Sequence, residues 1–204
     1  MLYILENTDK LDDEFLEKAI PLLSLQRIRK LDELRIRSDK NNCAAVYLML
    51  RFALNSEYSI CKAPEFTFGD RGKPFLSDEP DIHFNFSHCR NSCACIVDSK
   101  ETAVDISDNR KISLKTAKYF CSQEELDRII TLDNQNRELV KLWTVKECCS
   151  KLTGKGLITD FRTISEKETR SIRSICRDDY VVSYKADEAV EPVMLSVEQL
   201  ISGY

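Results

Sequence analysis

The stretch from Trp143 to Leu157 (Trp-Thr-Val-Lys-Glu-Cys-Cys-Ser-Lys-Leu-Thr-Gly-Lys-Gly-Leu) constrains this chain most, because on a helix it divides into a buried face and a charged one. At 3.6 residues per turn, Val145, Cys148, Cys149 and Leu152 fall at i, i+3, i+4 and i+7 and form an apolar stripe. Glu147 and Lys151 project from the opposite side, and Gly154 and Gly156 stop the helix. Taken alone, Glu147 and Lys151 read as a solvated i,i+4 ion pair, worth roughly a few tenths of a kcal/mol.

A second acidic position changes that reading. In Ala103-Val104-Asp105-Ile106-Ser107, alternation puts Val104 and Ile106 on one side of a strand and Asp105 and Ser107 on the other. Residues 94–98 followed by the polar 99–102 read as a strand and a turn, which places Asp105 on the return strand of a hairpin. Upstream, Ile82, Phe84 and Phe86 alternate as the buried face of a strand ending at Ser87-His88. Those two residues invite a Ser-His-Asp triad, but no Gly-x-Ser-x-Gly elbow surrounds Ser87. Gly72-Lys73-Pro74 is a turn whose Gly and Pro follow from backbone geometry and whose Lys does not. Residues 26–40 are helix-forming, with Ile28, Leu31 and Leu34 on the apolar side, and the next helix repeats the pattern with Cys43, Val46, Tyr47, Leu50 and Leu54.

Net charge of −4 and a pI near 5.4 argue against a nucleic-acid partner, which needs a basic face. The nine cysteines, an odd number, together with an opening Met1–Leu5 too short for export and no membrane-length apolar run, give the expectation of a cytoplasmic protein. His88, Cys89, Cys93 and Cys95 lack the paired Cys-x-x-Cys spacing of a zinc site and read as buried thiols. No internal repeat or Pro/Gly/Ser linker marks a boundary in the 204 residues.

Five motifs stand in order: Gly72-Lys73-Pro74, Phe84-Asn85-Phe86-Ser87-His88, Val104-Asp105-Ile106, Phe120-Cys121-Ser122-Gln123-Glu124-Glu125, and Trp143 to Glu147 running through Lys151 to Leu157. As an ordered set covering Gln26 to Leu157, they resemble the two-domain 4′-phosphopantetheinyl transferases, the type that activates surfactin synthetase. The resemblance implies an α+β fold made of a pseudo-twofold pair of similar subdomains, 1–100 and 101–204. Each would be a three-stranded antiparallel sheet with helices on one side, the active site would lie between them, and the chain would be a monomer. It implies transfer of phosphopantetheine from coenzyme A to a serine hydroxyl of an acyl or peptidyl carrier protein, with release of 3′,5′-ADP. A noncatalytic relative that binds coenzyme A is the competing reading.

By motif position the resemblance makes Asp105 and Glu147 ligands of Mg²⁺, with Mn²⁺ as an alternative. Glu147 is also the base toward the serine, and Lys151 a phosphate contact or aid to the leaving group. Lys73, Ser87 and His88 become coenzyme A phosphate contacts, with His88 protonated beside the anions. Backward alignment adds Arg27 and Lys30 for the 3′-phosphate and puts Asn42 where an arginine is common. The family commonly reads Asp-x-Glu at the strand, whereas here the third position is Ser107, whose hydroxyl could ligate the ion or one of its waters. Asp108 should point to the other side. Lys111, Lys115 and Lys118 recur at helical spacing, either as a solvated face or as a docking patch for an acidic carrier.

Overall fold

The structure is a computed structural model that describes residues 1–154 and 160–203. Its first half runs β1 (Leu2–Glu6), α1 (Asp13–Ala19), α2 (Leu25–Glu33), α3 (Arg37–Tyr58), β2 (Phe66–Phe68), β3 (Pro74–Leu76), β4 (His83–His88) and β5 (Ser92–Asp98). The second half runs β6 (Ala103–Asp108), α4 (Leu114–Ala117), α5 (Gln123–Ile129), α6 (Gln135–Thr153), α7 (Glu166–Thr169), β7 (Ile172–Cys176), β8 (Tyr180–Lys185), β9 (Val193–Leu195) and α8 (Val197–Ser202). The class is α+β, as expected: small, mostly antiparallel sheets packed against helices. No helix among the described residues is long and apolar enough to cross a membrane.

Strand alternation explains the layering. In β1 and β5, Leu2, Ile4, Ala94 and Ile96 turn toward Val104, Ile106, Tyr180, Val182 and Tyr184 of the second sheet, so the two sheets meet face to face over an apolar layer. The alternate residues Tyr3, Leu5, Cys93, Cys95 and Val97 turn the other way, into the core built on α3. Helix α6 covers the outer face of the second sheet, where the Thr144 and Ser183 hydroxyls meet at 2.7 Å and the Cys148 thiol reaches the Ala103 carbonyl at 3.4 Å.

Several expectations are corrected. Strand β6 does not return beside β5 as a hairpin; it leaves the first sheet and pairs antiparallel with β8, Asp105 opposite Ser183, giving the order β6-β8-β7. The first sheet has four strands rather than three, ordered β4-β5-β1-β9, and β9 pairs parallel with β1. Strand β9 therefore comes from beyond residue 100, so the second half of the chain completes the first sheet, and α8 packs on α3. The 26–40 stretch is broken at residues 34–36 into the end of α2 and the start of α3. Helix α4 contains Lys115 alone of the three lysines; Lys111 precedes it and Lys118 follows.

Helix α6 ends as read, with Gly154 in the left-handed region at φ 63°. Gly156 and Leu157 lie outside the described residues. Cys148 and Cys149 are buried and Val145 and Leu152 half-buried. Lys146 is 0% exposed, which the stripe did not foresee. Its Nζ donates to Glu125 Oε2 at 2.6 Å and to the Phe120 carbonyl at 3.0 Å. Glu125 closes the capping box of α5 by accepting from the Ser122 backbone N–H, so one carboxylate fixes both a helix start and the seat of α6. Removing one partner of such a pair leaves a buried charge. Lys146→Met should cost about 3 kcal/mol, and the double variant Lys146→Met/Glu125→Gln should recover much of it, both read from urea midpoints.

Candidate active site where the two sheets meet

Strands β4 and β6 belong to different sheets but are joined through side chains. Asn85 Oδ1 accepts the Val104 backbone N–H at 3.1 Å, and two residues on the Ser87 hydroxyl donates to Asp105 Oδ1 at 2.8 Å. Alternation puts Asp105 toward α6, as expected, and the carboxylate is 7% exposed. A charge so enclosed needs partners. Lys151 supplies one at 2.7 Å from Oδ1 while also donating to the Val104 carbonyl at 3.2 Å. The i,i+4 pair with Glu147 is thus replaced by a longer-range one: Lys151 turns to the strand.

Glu147, one turn earlier on α6, is half-buried. Its carboxyl is pushed above the usual glutamate range, first by burial and then by the charge of Asp105, with Lys151 pulling the other way. The two acidic groups therefore feel each other. Ser107 shares the Asp105 face, and its hydroxyl has a weak contact, 3.5 Å, to the Asp108 carbonyl. Asp108 points elsewhere, accepting the Arg90 N–H at 3.4 Å.

The carboxylates of Asp105 and Glu147, and the Ser107 hydroxyl on the Asp105 face of the strand, are oxygen donors of the kind that suits a hard divalent cation such as Mg²⁺. The like-charge effect on Glu147 is what a bound cation would relieve. Among the described residues no group of three or more His, Cys, Asp or Glu gathers.

A cleft runs from the site across the β2–β3 hairpin. A pocket of about 250 Å³ is lined by Lys151, Ser150, Asn85, Phe86, Arg71 and the Gly72-Lys73-Pro74 turn. It shares Gly72, Pro74 and Phe86 with a second pocket of about 490 Å³ that reaches Gln26, Arg27 and Lys30 on α2. Lys73 donates to the Leu152 carbonyl at 3.2 Å, tying the hairpin to the end of α6. Arg27 donates Nε and Nη2 to the Cys43 carbonyl, at 3.0 and 2.6 Å, and lies 5.4 Å from the Phe86 ring. A larger hollow, about 560 Å³ between α1 and α8, contains none of these residues.

Other candidates fall differently. His88 ends β4 at the surface, and its imidazole is pushed below the ordinary histidine range by burial first, then Lys151 and Arg27, against Asp39 and Asp105. That environment disfavours the charged form of His88 unless an anion sits beside it. Lys30 is exposed and paired with Glu33. Asn42 is buried away from the cleft, donating to the Cys89 carbonyl at 3.5 Å and accepting the Cys93 thiol at 3.8 Å. Sequence reasoning missed Asn85, Phe86 and Arg71 as cleft residues; the first two lie inside one motif and Arg71 adjoins another, which was the available signal.

The second half of this arrangement, residues 101–194, matches the family model described as the 4′-phosphopantetheinyl transferase superfamily. Across the whole site, the chain is 26% identical over 197 residues to the 4′-phosphopantetheinyl transferase Sfp of Bacillus subtilis (strain 168), an alignment spanning 95% of this chain and 84% of that protein. The chain is thus similar to 4′-phosphopantetheinyl transferases of the Sfp type. Other similar phosphopantetheinyl transferases are psf-1 of Bacillus pumilus, 27% identical over 72% of this chain and 66% of that protein, and the L-aminoadipate-semialdehyde dehydrogenase-phosphopantetheinyl transferase of Candida glabrata, 26% identical over 76% and 63%.

Ionising Glu147 beside Asp105 costs stability in the absence of a divalent cation. Between the ordinary glutamate range and the raised value, the folded state holds a proton that the unfolded state has lost, so stability falls as pH rises through that window. Glu147→Gln should therefore melt higher than the native chain at pH 7 in chelator, and the difference should vanish below pH ~4. A thermal melt series across pH measures it.

Proposed function

We propose that the chain transfers the 4′-phosphopantetheine group of coenzyme A to a serine hydroxyl of an acyl or peptidyl carrier protein. The observation that carries this reading is the meeting of Asp105, Glu147 and Lys151 at the end of a cleft lined with cations. Phosphoryl transfer asks mainly for positioning and charge neutralisation, and these are the groups that supply them.

The serine oxygen attacks the β-phosphorus, a new P–O bond forms there, and the bond to the bridging oxygen breaks to release 3′,5′-ADP. Glu147 accepts the serine proton, directly or through a water. Lys151 reaches the pyrophosphate oxygens, where its charge offsets that of the leaving group. Lys73 and Arg71 face the phosphates from the hairpin, and Arg27 and Lys30 lie toward the far end for the 3′-phosphate. His88 takes up a proton when an anion sits beside it. Ser87 orients Asp105. Mg²⁺ held by Asp105 and Glu147, with Ser107 nearby, would supply Lewis-acid polarisation of the pyrophosphate oxygens. Lys111, Lys115 and Lys118 are exposed beside Leu114 and Tyr119, also exposed, and form the docking surface for an acidic carrier. A cytoplasmic monomer completes the reading.

Incubation with coenzyme A, Mg²⁺ and an apo carrier, followed by intact mass, tests the reaction. A phosphopantetheine mass gain is expected, and tight coenzyme A binding with no gain would replace the reading with a noncatalytic one. Asp105→Ala should lower the rate by on the order of 10³-fold, whereas Ser107→Ala should be mild; equal damage would remove Asp105 from its special role. Reversing the charge of the three lysines should raise KM for carrier about tenfold and leave KM for coenzyme A alone, with a steep salt dependence in the native enzyme.

A further inference from the structure

Asp105 has more than one claim on it. Its Oδ1 already accepts from Lys151 at 2.7 Å and Ser87 at 2.8 Å, and Lys151 is held a second time by the Val104 carbonyl. With its side chain 28% exposed, the ammonium is seated against β6 rather than swinging in solvent. This is the carboxylate that the transferase reading also gives to a divalent cation. Two cations on one carboxylate repel each other, and partial burial weakens the screening. Two carboxylates and one ammonium leave the group a single net negative charge, half of what a divalent ion needs for neutrality.

Lys151 also lines the 250 Å³ pocket next to Arg71 and Lys73. Its ammonium therefore stands at the border between the acidic pair and the part of the cleft suited to phosphates. A pyrophosphate there offers it a stronger partner than the shared carboxylate and carbonyl. The long flexible stem lets a lysine make that exchange, where an arginine's planar fork would be harder to move.

We infer that Lys151 makes divalent-cation binding conditional on a pyrophosphate. Seated on Asp105 it weakens the ion's hold; drawn to the coenzyme A phosphates it frees the carboxylate, so ion and coenzyme A bind as a coupled pair. The coupling is reciprocal: the ion strengthens coenzyme A binding by the factor by which coenzyme A strengthens that of the ion. The inference rests on the transferase reading and adds an order of events to it.

Mn²⁺ binding to the full chain without coenzyme A, followed by electron paramagnetic resonance or calorimetry, provides the test. Lys151→Met should bind Mn²⁺ about tenfold tighter than the native chain, within the usual span of coupling between sites. Lys151→Arg, which keeps the charge, should bind it as weakly as the native chain. Adding Asp105→Asn to Lys151→Met should abolish the gain. Mn²⁺ affinity in Lys151→Met no tighter than native, or a gain that survives Asp105→Asn, overturns the inference. Lys151→Gln gives the same comparison if the methionine variant does not fold. Native chain that transfers nothing in the mass assay would sink the transferase reading and leave the Mn²⁺ comparison interpretable. Equal Mn²⁺ affinities in a chain that does transfer would sink only the coupling.

Discussion

A carboxylate enclosed where β4, β6 and α6 meet must be satisfied from its neighbours, and that requirement at Asp105 organises the molecule. Ser87 reaches it from the first sheet and Lys151 from the helix behind the second, while Asn85 pins the neighbouring backbone through Val104. Leaving any of these polar groups without a partner in so dry a place costs about 1–3 kcal/mol. The contact that aligns the two halves is therefore the contact that builds the site, and the relative placement of the sheets cannot drift without exposing the cost at Asp105.

The chain is acidic as a whole, yet its cleft is cationic, and local placement rather than net charge decides what it attracts. Three of the cleft cations share a device. Arg27 is anchored on the Cys43 carbonyl, Lys73 on that of Leu152 and Lys151 on that of Val104. A carbonyl fixes a cation's position without cancelling its charge, so the positive ends of Arg27 and Lys73 are oriented beforehand, whereas Lys151 is also paired with Asp105. Lys30, by contrast, is neutralised by Glu33 at the surface.

What the sequence made legible was local. The stop of α6 at Gly154, the face of β6 that carries Asp105, and the turn holding Lys73 all follow from periodicity and from Gly and Pro, although α6 begins at Gln135, well before the stretch read as helical. What it hid was partnership at a distance. Lys151 has a carboxylate four residues back and chooses one on another element, because burial of Asp105 makes that pairing the more demanding. Lys146 sits on a charged-looking stretch, but its partner Glu125 lies on a helix whose capping box was readable while its approach to α6 was not. The polar turn before β6 is as compatible with switching sheets as with a hairpin, and only the apolar layer between the sheets decides. Asn42, placed by alignment, is spoken for by Cys89 and Cys93.

The parallel edge strand carries a consequence for how the molecule comes into being. Strand β1 is made well before β9, yet each lies at the other's side. Until β9 emerges from the ribosome, β1 presents an open row of backbone donors and acceptors to any passing strand, a hazard for aggregation. Closing that gap spans nearly the whole chain, a long loop of the kind that slows folding. The first sheet thus waits, incomplete, for β9.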